Sequence, residues 1–247
     1  MTIIEERLQA HYDFVCEHYN EDQILGVFLY GSQNYNTHTF HSDVDTKAIY
    51  IPTLAELSFD KPVSKELVLP NGEHCEVKDI REMVKNFKKQ NINFVEVLFT
   101  EYYILNVKFE ELWNKYFINN REKIAVYDVN TAVRSMSHQA LYTIRQNPKD
   151  PKKISNALRL LYFLQGYMRG DSYIKCLQGD TLRANFLKAV KNNLYGEEAL
   201  KPMVDYAIIA LDEYTKTDIP PRLEKDEKAR LDLRMNKGCL EMIKLIF

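Results

Sequence analysis

The chain has 247 residues, 45% hydrophobic and 28% charged, with 33 Lys and Arg against 35 Asp and Glu. A formal charge of −2 excludes a uniformly basic coat, so any nucleic-acid contact has to be a local patch. No run approaches the roughly 20 apolar residues of a membrane span, the opening MTIIEERLQ lacks the layout of a secretory signal, and Cys16, Cys75, Cys176 and Cys239 stand too far apart for a CxxC zinc site or a disulfide scaffold. A cytoplasmic, membrane-free protein is expected.

Helical spacing of Ile3, Ile4, Leu8, His11, Tyr12, Val15 and Tyr19 predicts an amphipathic helix over 3–19. Strands follow at 24–30 (ILGVFLY) and 44–51 (VDTKAIYI). Residues 67–69 and 73–80 flank Pro70-Asn71-Gly72, and Asn-Gly between alternating runs signals a hairpin. Residues 81–90 look helical again. Beyond about residue 105 the strand signals stop, and 107–119, 131–146, 152–169, 181–193, 197–215 and 223–245 each carry helical spacing. The expected organisation is an α/β domain over 1–105 and a helical domain over 106–247. With no Gly/Ser-rich linker, the two should pack tightly.

The chemistry concentrates in Leu29-Tyr30-Gly31-Ser32-Gln33-Asn34-Tyr35 and Ser42-Asp43-Val44-Asp45. A buried strand runs into a Gly-Ser turn, and a loop returns into a strand that starts with two acids. Strand side chains repeat with period two, so Asp43 and Asp45 share a face with Cα atoms about 6.5–7 Å apart. Two hard oxygen ligands at that spacing can straddle a pair of Mg²⁺ or Mn²⁺ ions, separated by about 3.5–4 Å in phosphoryl-transfer sites. Gly31 lets backbone approach a phosphate, and the Ser32 hydroxyl and turn amides donate to it. Alone, a Gly-Ser turn is noise and Asp-x-Asp is usually a solvated strand face. In this order and spacing the functional reading is the better one.

LYGSQNY…HSDVDTKAIYIP resembles the signature of the DNA polymerase β-type nucleotidyltransferase superfamily, and more narrowly the RNA-repair-associated nucleotidyltransferases of bacteria and phages. The resemblance continues into NINFVEVLF, leading to Glu96, and KKISNALRLLYFLQGYMRG. The chain departs from the pattern at Asn36, where Gly is expected, although Asn tolerates a left-handed backbone. The resemblance implies an α+β fold: a mixed-sheet palm with flanking helices, then a helical bundle. It also implies a third carboxylate on a neighbouring strand, between two apolar residues. Cys75-Glu76-Val77 fits that context, with Asp79 the runner-up, although the family more often has Asp there. Glu76 would then join Asp43 and Asp45 in holding two ions and help deprotonate the attacking hydroxyl. The implied reaction carries a nucleoside monophosphate from an NTP, ATP foremost, to an acceptor hydroxyl with release of pyrophosphate. An RNA or tRNA end is the favoured acceptor, and a protein or small molecule the alternative.

Along 152–169, Ile154, Ala157, Leu158, Leu161, Leu164 and Met168 form the apolar stripe. Lys152, Asn156 and Arg159 share another face, with Lys153 at its edge, a cationic surface suited to a triphosphate. With Gly31, Ser32 and Ser42 these complete the candidate nucleotide site. The remaining features read more plainly. Arg81, Lys85, Lys88 and Lys89 make a basic helix face, better read as solvated than as a nucleic-acid contact. His38 and His41 flank the acids without zinc-site spacing. Trp113 belongs to a core, and Tyr162, Tyr167 and Tyr173 are better read as packing than as base-stacking. A nucleotide-binding regulator or antitoxin-like protein without turnover is one rival. A metal-dependent phosphohydrolase is another, which the lack of a His-Asp cluster disfavours.

Overall fold

A computed structural model describes residues 2–39, 42–59 and 62–247. The fold is mixed α+β: a five-stranded sheet with helices about it, continuing into a helical C-terminal region. The strands are β1 (Ile24–Tyr30), β2 (Asp45–Tyr50), β3 (Ser64–Val68), β4 (His74–Asp79) and β5 (Tyr103–Leu105), in the order β3-β4-β2-β1-β5. Only β2 and β4 run parallel; the other pairs are antiparallel. The first helices are α1 (Ile3–His18), α2 (Leu54–Ser58), α3 (Ile80–Lys88) and α4 (Ile92–Val95). After β5 come α5 (Val107–Tyr116), α6 (Arg121–Ala125), α7 (Val129–Gln146), α8 (Pro151–Arg169), α9 (Tyr173–Gln178), α10 (Thr181–Lys191), α11 (Glu197–Lys216) and α12 (Lys225–Lys244). No described helix is long and apolar enough to cross a membrane.

Every long element expected from periodicity is present, with ends that shift by a few residues. α1 starts cleanly because Thr2 and Glu5 form a reciprocal capping box. The Asn71-Gly72 turn forms with Gly72 at φ 86°, but β3 begins three residues before the expected 67–69 segment. It is an edge strand with Leu67 its one buried residue, so it shows no apolar alternation to read. β5, α2, α6 and α9 are too short to display a period. β5 pairs with β1 at Gly26, where a Cβ would stand 2.5 Å from the Ile104 carbonyl oxygen, so only glycine admits that edge.

The sheet is the middle layer. One face packs under α1 through Leu8, Val15, Val27, Ala48, Leu67 and Val77. The other joins the larger core, in which Leu25 and Phe28 share one apolar cluster with Trp113, Leu158 and Met242. Phe28 meets Trp113 at 5.4 Å between centroids and Trp113 stacks on Phe117 at 4.7 Å. Such pairs contribute about 0.5–1.5 kcal/mol beyond their burial and tie sheet to helices here. α8 lies at the centre of the helical region against α7, α9, α10 and α11. Asp150 accepts from the amides of Lys152 and Lys153 at its start, and Gly170 ends it in the left-handed conformation at φ 93°.

Candidate active site

β1 delivers the chain to Gly31, whose φ of 88° turns it sharply back. The turn is closed by Asn34 N–H to the Gly31 carbonyl at 3.0 Å and Thr37 N–H to the Ser32 carbonyl at 3.1 Å. Asn36 takes φ 57°, so asparagine supplies the left-handed residue in the place of the expected glycine. Glu96, wholly buried, fastens the loop from beneath. Its carboxylate accepts the Tyr35 hydroxyl at 2.7 Å, the Gly31 amide at 3.3 Å and the Asn34 side-chain amide at 3.4 Å. Burial raises the Glu96 pKa, opposed by the Tyr35 hydrogen bond and the nearby Arg159 charge.

The loop returns through Ser42 and Asp43 into β2, where Asp45 pairs with Tyr30. Asp43 is exposed and Asp45 half-buried. Burial first, and the Asp43 charge second, raise the Asp45 pKa against the pull of His74, Lys152 and Lys47. Among the described residues neither carboxylate has a hydrogen-bonded or ion-paired partner. Two neighbouring carboxylates, one of them held above its ordinary range by burial and by the other's charge, are relieved by a shared cation. The pair therefore fits Mg²⁺ or Mn²⁺, which take hard oxygen ligands.

Gly31, Ser32, Ser42 and both acids line a cavity of about 440 Å³, within the range of small-molecule sites. Its opposite wall comes from the helical region: Lys152, Lys153, Asn156 and Arg159 of α8, and Lys191 at the end of α10. Lys191 Nζ donates to Ser42 Oγ at 3.0 Å, and burial followed by the Lys152 charge lowers its pKa. Arg159 is 7% exposed. Its guanidinium lies 3.8 Å from the Tyr35 ring centroid and its Nε donates to Asn156 Oδ1 at 3.2 Å. Its Nη1 is buried with no hydrogen-bond partner among the described residues. An orphaned charged donor in a cavity wall is rare unless a ligand, ion or water completes it.

The fold thus brings all of the expected site residues to one cavity except Glu76. That residue stands on β4 opposite Lys47 in the parallel register, two positions along β2 from Asp45 and on the same face. Its carboxylate is taken by Lys47 Nζ and by Lys78 at 2.9 Å, and it does not line the cavity. Burial alone would raise the Glu76 pKa, but the Lys47 charge and hydrogen bond hold it below its usual range. Asp79 is not at the site either: it caps α3 and pairs with Arg81 at 2.7 Å. Among the described residues no group of three or more His, Cys, Asp or Glu is gathered as a metal centre.

Sequence reading missed Ser155 on α8 itself, and Lys191, Asn192, Asn93 and Gln139, which line the cavity from the end of α10, from α4 and from α7. No local pattern marks the last four, because each reaches the site only through the packing of its own element. Arg81, Lys85 and Lys88 are paired with Asp79, Glu82 and Asp232. Trp113, Tyr167 and Tyr173 are buried and Tyr162 half-buried, as core residues. His38 lines a separate cavity of about 100 Å³, and His41 lies outside the described residues.

No family model and no curated protein matches the chain. Among solved structures it is similar to a nucleotidyltransferase-like protein from Exiguobacterium sibiricum, over 96% of this chain and 91% of that one, with 12% identity and a TM-score of 0.34.

Proposed function

We propose that this cavity is the active site of a metal-dependent nucleotidyltransferase that uses a nucleoside triphosphate, ATP foremost. The observation that supports it is the opposition of two walls across one cavity: Asp43 and Asp45, without partners among the described residues, on the sheet side, and Arg159, its Nη1 likewise unmatched, among Lys152, Lys153 and Lys191 on the helix side. A triphosphate bridging a cation and a cationic wall matches that layout. Arg159 offers a planar fork to phosphate oxygens, and the lysines supply mobile point charges. The Ser32 hydroxyl and the turn amides orient the same oxygens. Asp43 and Asp45 would hold the Mg²⁺ or Mn²⁺, which when bound supplies Lewis-acid stabilisation of the reacting phosphoryl oxygens. Glu76 enters this reading as the counter-ion of Lys47.

In the reaction the acceptor hydroxyl oxygen bonds to the α-phosphorus as the bond from that phosphorus to the β-bridging oxygen breaks. Pyrophosphate leaves, and the hydroxyl proton passes to solvent. The acceptor favoured by the sequence resemblance is an RNA or tRNA end.

The test is incubation with each α-³²P nucleoside triphosphate, Mg²⁺ or Mn²⁺, and total RNA, beside Asp43→Asn. Label on RNA with wild type and background levels with the variant is expected. Undiminished transfer by Asp43→Asn, or no nucleotide binding by wild type, would overturn the reading. Label on the protein itself or on a small molecule would move the acceptor.

A further inference from the structure

No described side chain holds Asp43 or Asp45, so the backbone between and beside them sets where they point. That backbone is at the sheet's margin: Asp45 is the first residue of β2, and its rung with Tyr30 is the last of the β1–β2 ladder. Strand period sends Val44 and Thr46 away from the cavity, toward α1.

On that side a buried polar cluster takes hold of residues 42, 44 and 46. Glu73, 3% exposed in the β3–β4 turn, accepts the Val44 amide on Oε1 at 2.8 Å and pairs there with Arg7. Its Oε2 meets His11 Nε2 at 3.1 Å and the Asn71 side-chain amide at 2.9 Å. His11 is wholly buried, with Nδ1 2.8 Å from Thr46 Oγ1. Burial, then the Arg7 charge, lowers its pKa to about 4. The ring is therefore neutral near pH 7, donating through Nε2–H to Glu73 and accepting the Thr46 hydroxyl on Nδ1. Arg7 Nη1 reaches the Ser42 carbonyl at 3.5 Å.

The surrounding space is apolar: Leu8, Val15, Leu67 and Leu69 close the same gap between α1 and the sheet without polar groups. Burying a carboxylate, a guanidinium arm and an imidazole there costs desolvation that hydrophobic side chains would avoid. What the polar cluster adds is directional contact at the residues that alternate with the two acids. We propose that Arg7, His11 and Glu73 form a brace that fixes the aim of Asp43 and Asp45, as positioning residues for cation binding at the cavity. The proposal rests on the reading of the acidic pair as the cation site. Partners one layer behind metal ligands act this way, and their loss costs about 10–100-fold in metal affinity or activity.

The test uses Glu73→Met in the full chain with two readouts: Mn²⁺ affinity, from the electron paramagnetic resonance signal of free Mn²⁺, and hydrogen exchange of the Val44 amide by NMR. A cooperatively folded variant with Mn²⁺ affinity lower by about tenfold or more, and with the Val44 amide deprotected, is expected. Binding of ATP in EDTA should change by less than about twofold, because the α8 wall is untouched. A folded variant that keeps wild-type Mn²⁺ affinity would overturn the proposal, whatever its melting temperature, by showing the cluster to be structural alone. If Glu73→Met does not fold, Arg7→Met, which cuts the partly exposed arm, is judged on the same two readouts. A wild type that binds no Mn²⁺ would sink the cation site and the proposal with it. Val44 protection, lost in Glu73→Met, would still report separately that Glu73 holds the strand.

Discussion

Lys47 on β2 and Arg159 on α8 are both buried and both lie against aromatic rings, yet only Lys47 has a carboxylate in contact. Its Nζ sits 4.1 Å from the Tyr30 centroid and 4.3 Å from that of Phe94, and it pairs with Glu76. Burial lowers the Lys47 pKa and the Glu76 charge opposes the shift, so the protein supplies its own counter-ion. Arg159 stacks on Tyr35, but Glu96, whose carboxylate feels its charge, has its oxygens occupied by Tyr35, Asn34 and Gly31. Glu96 and Arg159 feel each other's charge without a hydrogen bond between them, and Nη1 stays unmatched among the described residues. A buried cation completed from within is architecture; one left incomplete beside a cavity expects its partner from outside.

The sharpest way to break that comparison is Arg159→Met. A hydrogen bond to a charged group contributes about 1.5–3 kcal/mol, so ATP affinity should fall by about 10–100-fold. Stability should move by about 1 kcal/mol or less, since the apolar side chain removes the unmatched Nη1 while giving up the Nε bond to Asn156 and the Tyr35 contact. Isothermal titration with ATP and a melting curve on the same sample decide it. Unchanged ATP affinity would return Arg159 to the core as packing.

Glu76→Gln should do the reverse. Breaking a fully buried pair costs about 3–5 kcal/mol, and the partial exposure of Glu76 reduces this to about 2 kcal/mol. At about 2–4 °C per kcal/mol for a chain of this size, the melting temperature should drop by about 4–8 °C. ATP affinity should stay close to wild type. A loss of Mg²⁺-dependent turnover out of proportion to the melting shift would instead return Glu76 to the place the sequence resemblance gave it, as a third ligand.

Sequence legibility divides along the same line. The Gly31–Ser32 turn, the Asp43/Asp45 face and the shared face of Lys152, Asn156 and Arg159 are local patterns, set by a strand period of two and a helical period of 3.6. Each could be read within one element, and the fold brings them to one cavity. The pairing of Glu76 with Lys47 depends on the register of two parallel strands separated by the β3 hairpin, which no local window contains. Lys191 and Gln139 depend on how α7 and α10 pack around α8. The cluster behind the acids joins α1 to a turn more than sixty residues later, so no local window shows His11, on the helical stripe, meeting Glu73. Pairwise long-range contact is what the sequence alone withholds.

The smallest effect separates stability from function at a single atom pair. Asp45→Asn should abolish transfer and yet leave the protein slightly more stable, by up to about 1 kcal/mol at pH 7 in the absence of divalent ions, because the carboxylate is half-buried beside Asp43. The sign follows from the direction of the shift. A raised folded-state pKa means that the folded protein holds this proton more tightly than the unfolded chain. The stability tied to the protonated form is fully present below the unfolded pKa and is lost as pH rises through the folded one. Wild type should therefore lag Asp45→Asn at neutral pH and converge with it on acidification, starting above the ordinary Asp range near about 4. Denaturant melts of both proteins from pH 7 to pH 4 in EDTA would show the gap closing. A gap that widened toward low pH would mean that Asp45 is stabilised as a carboxylate by cations already in the fold, and that the site needs no metal to hold it.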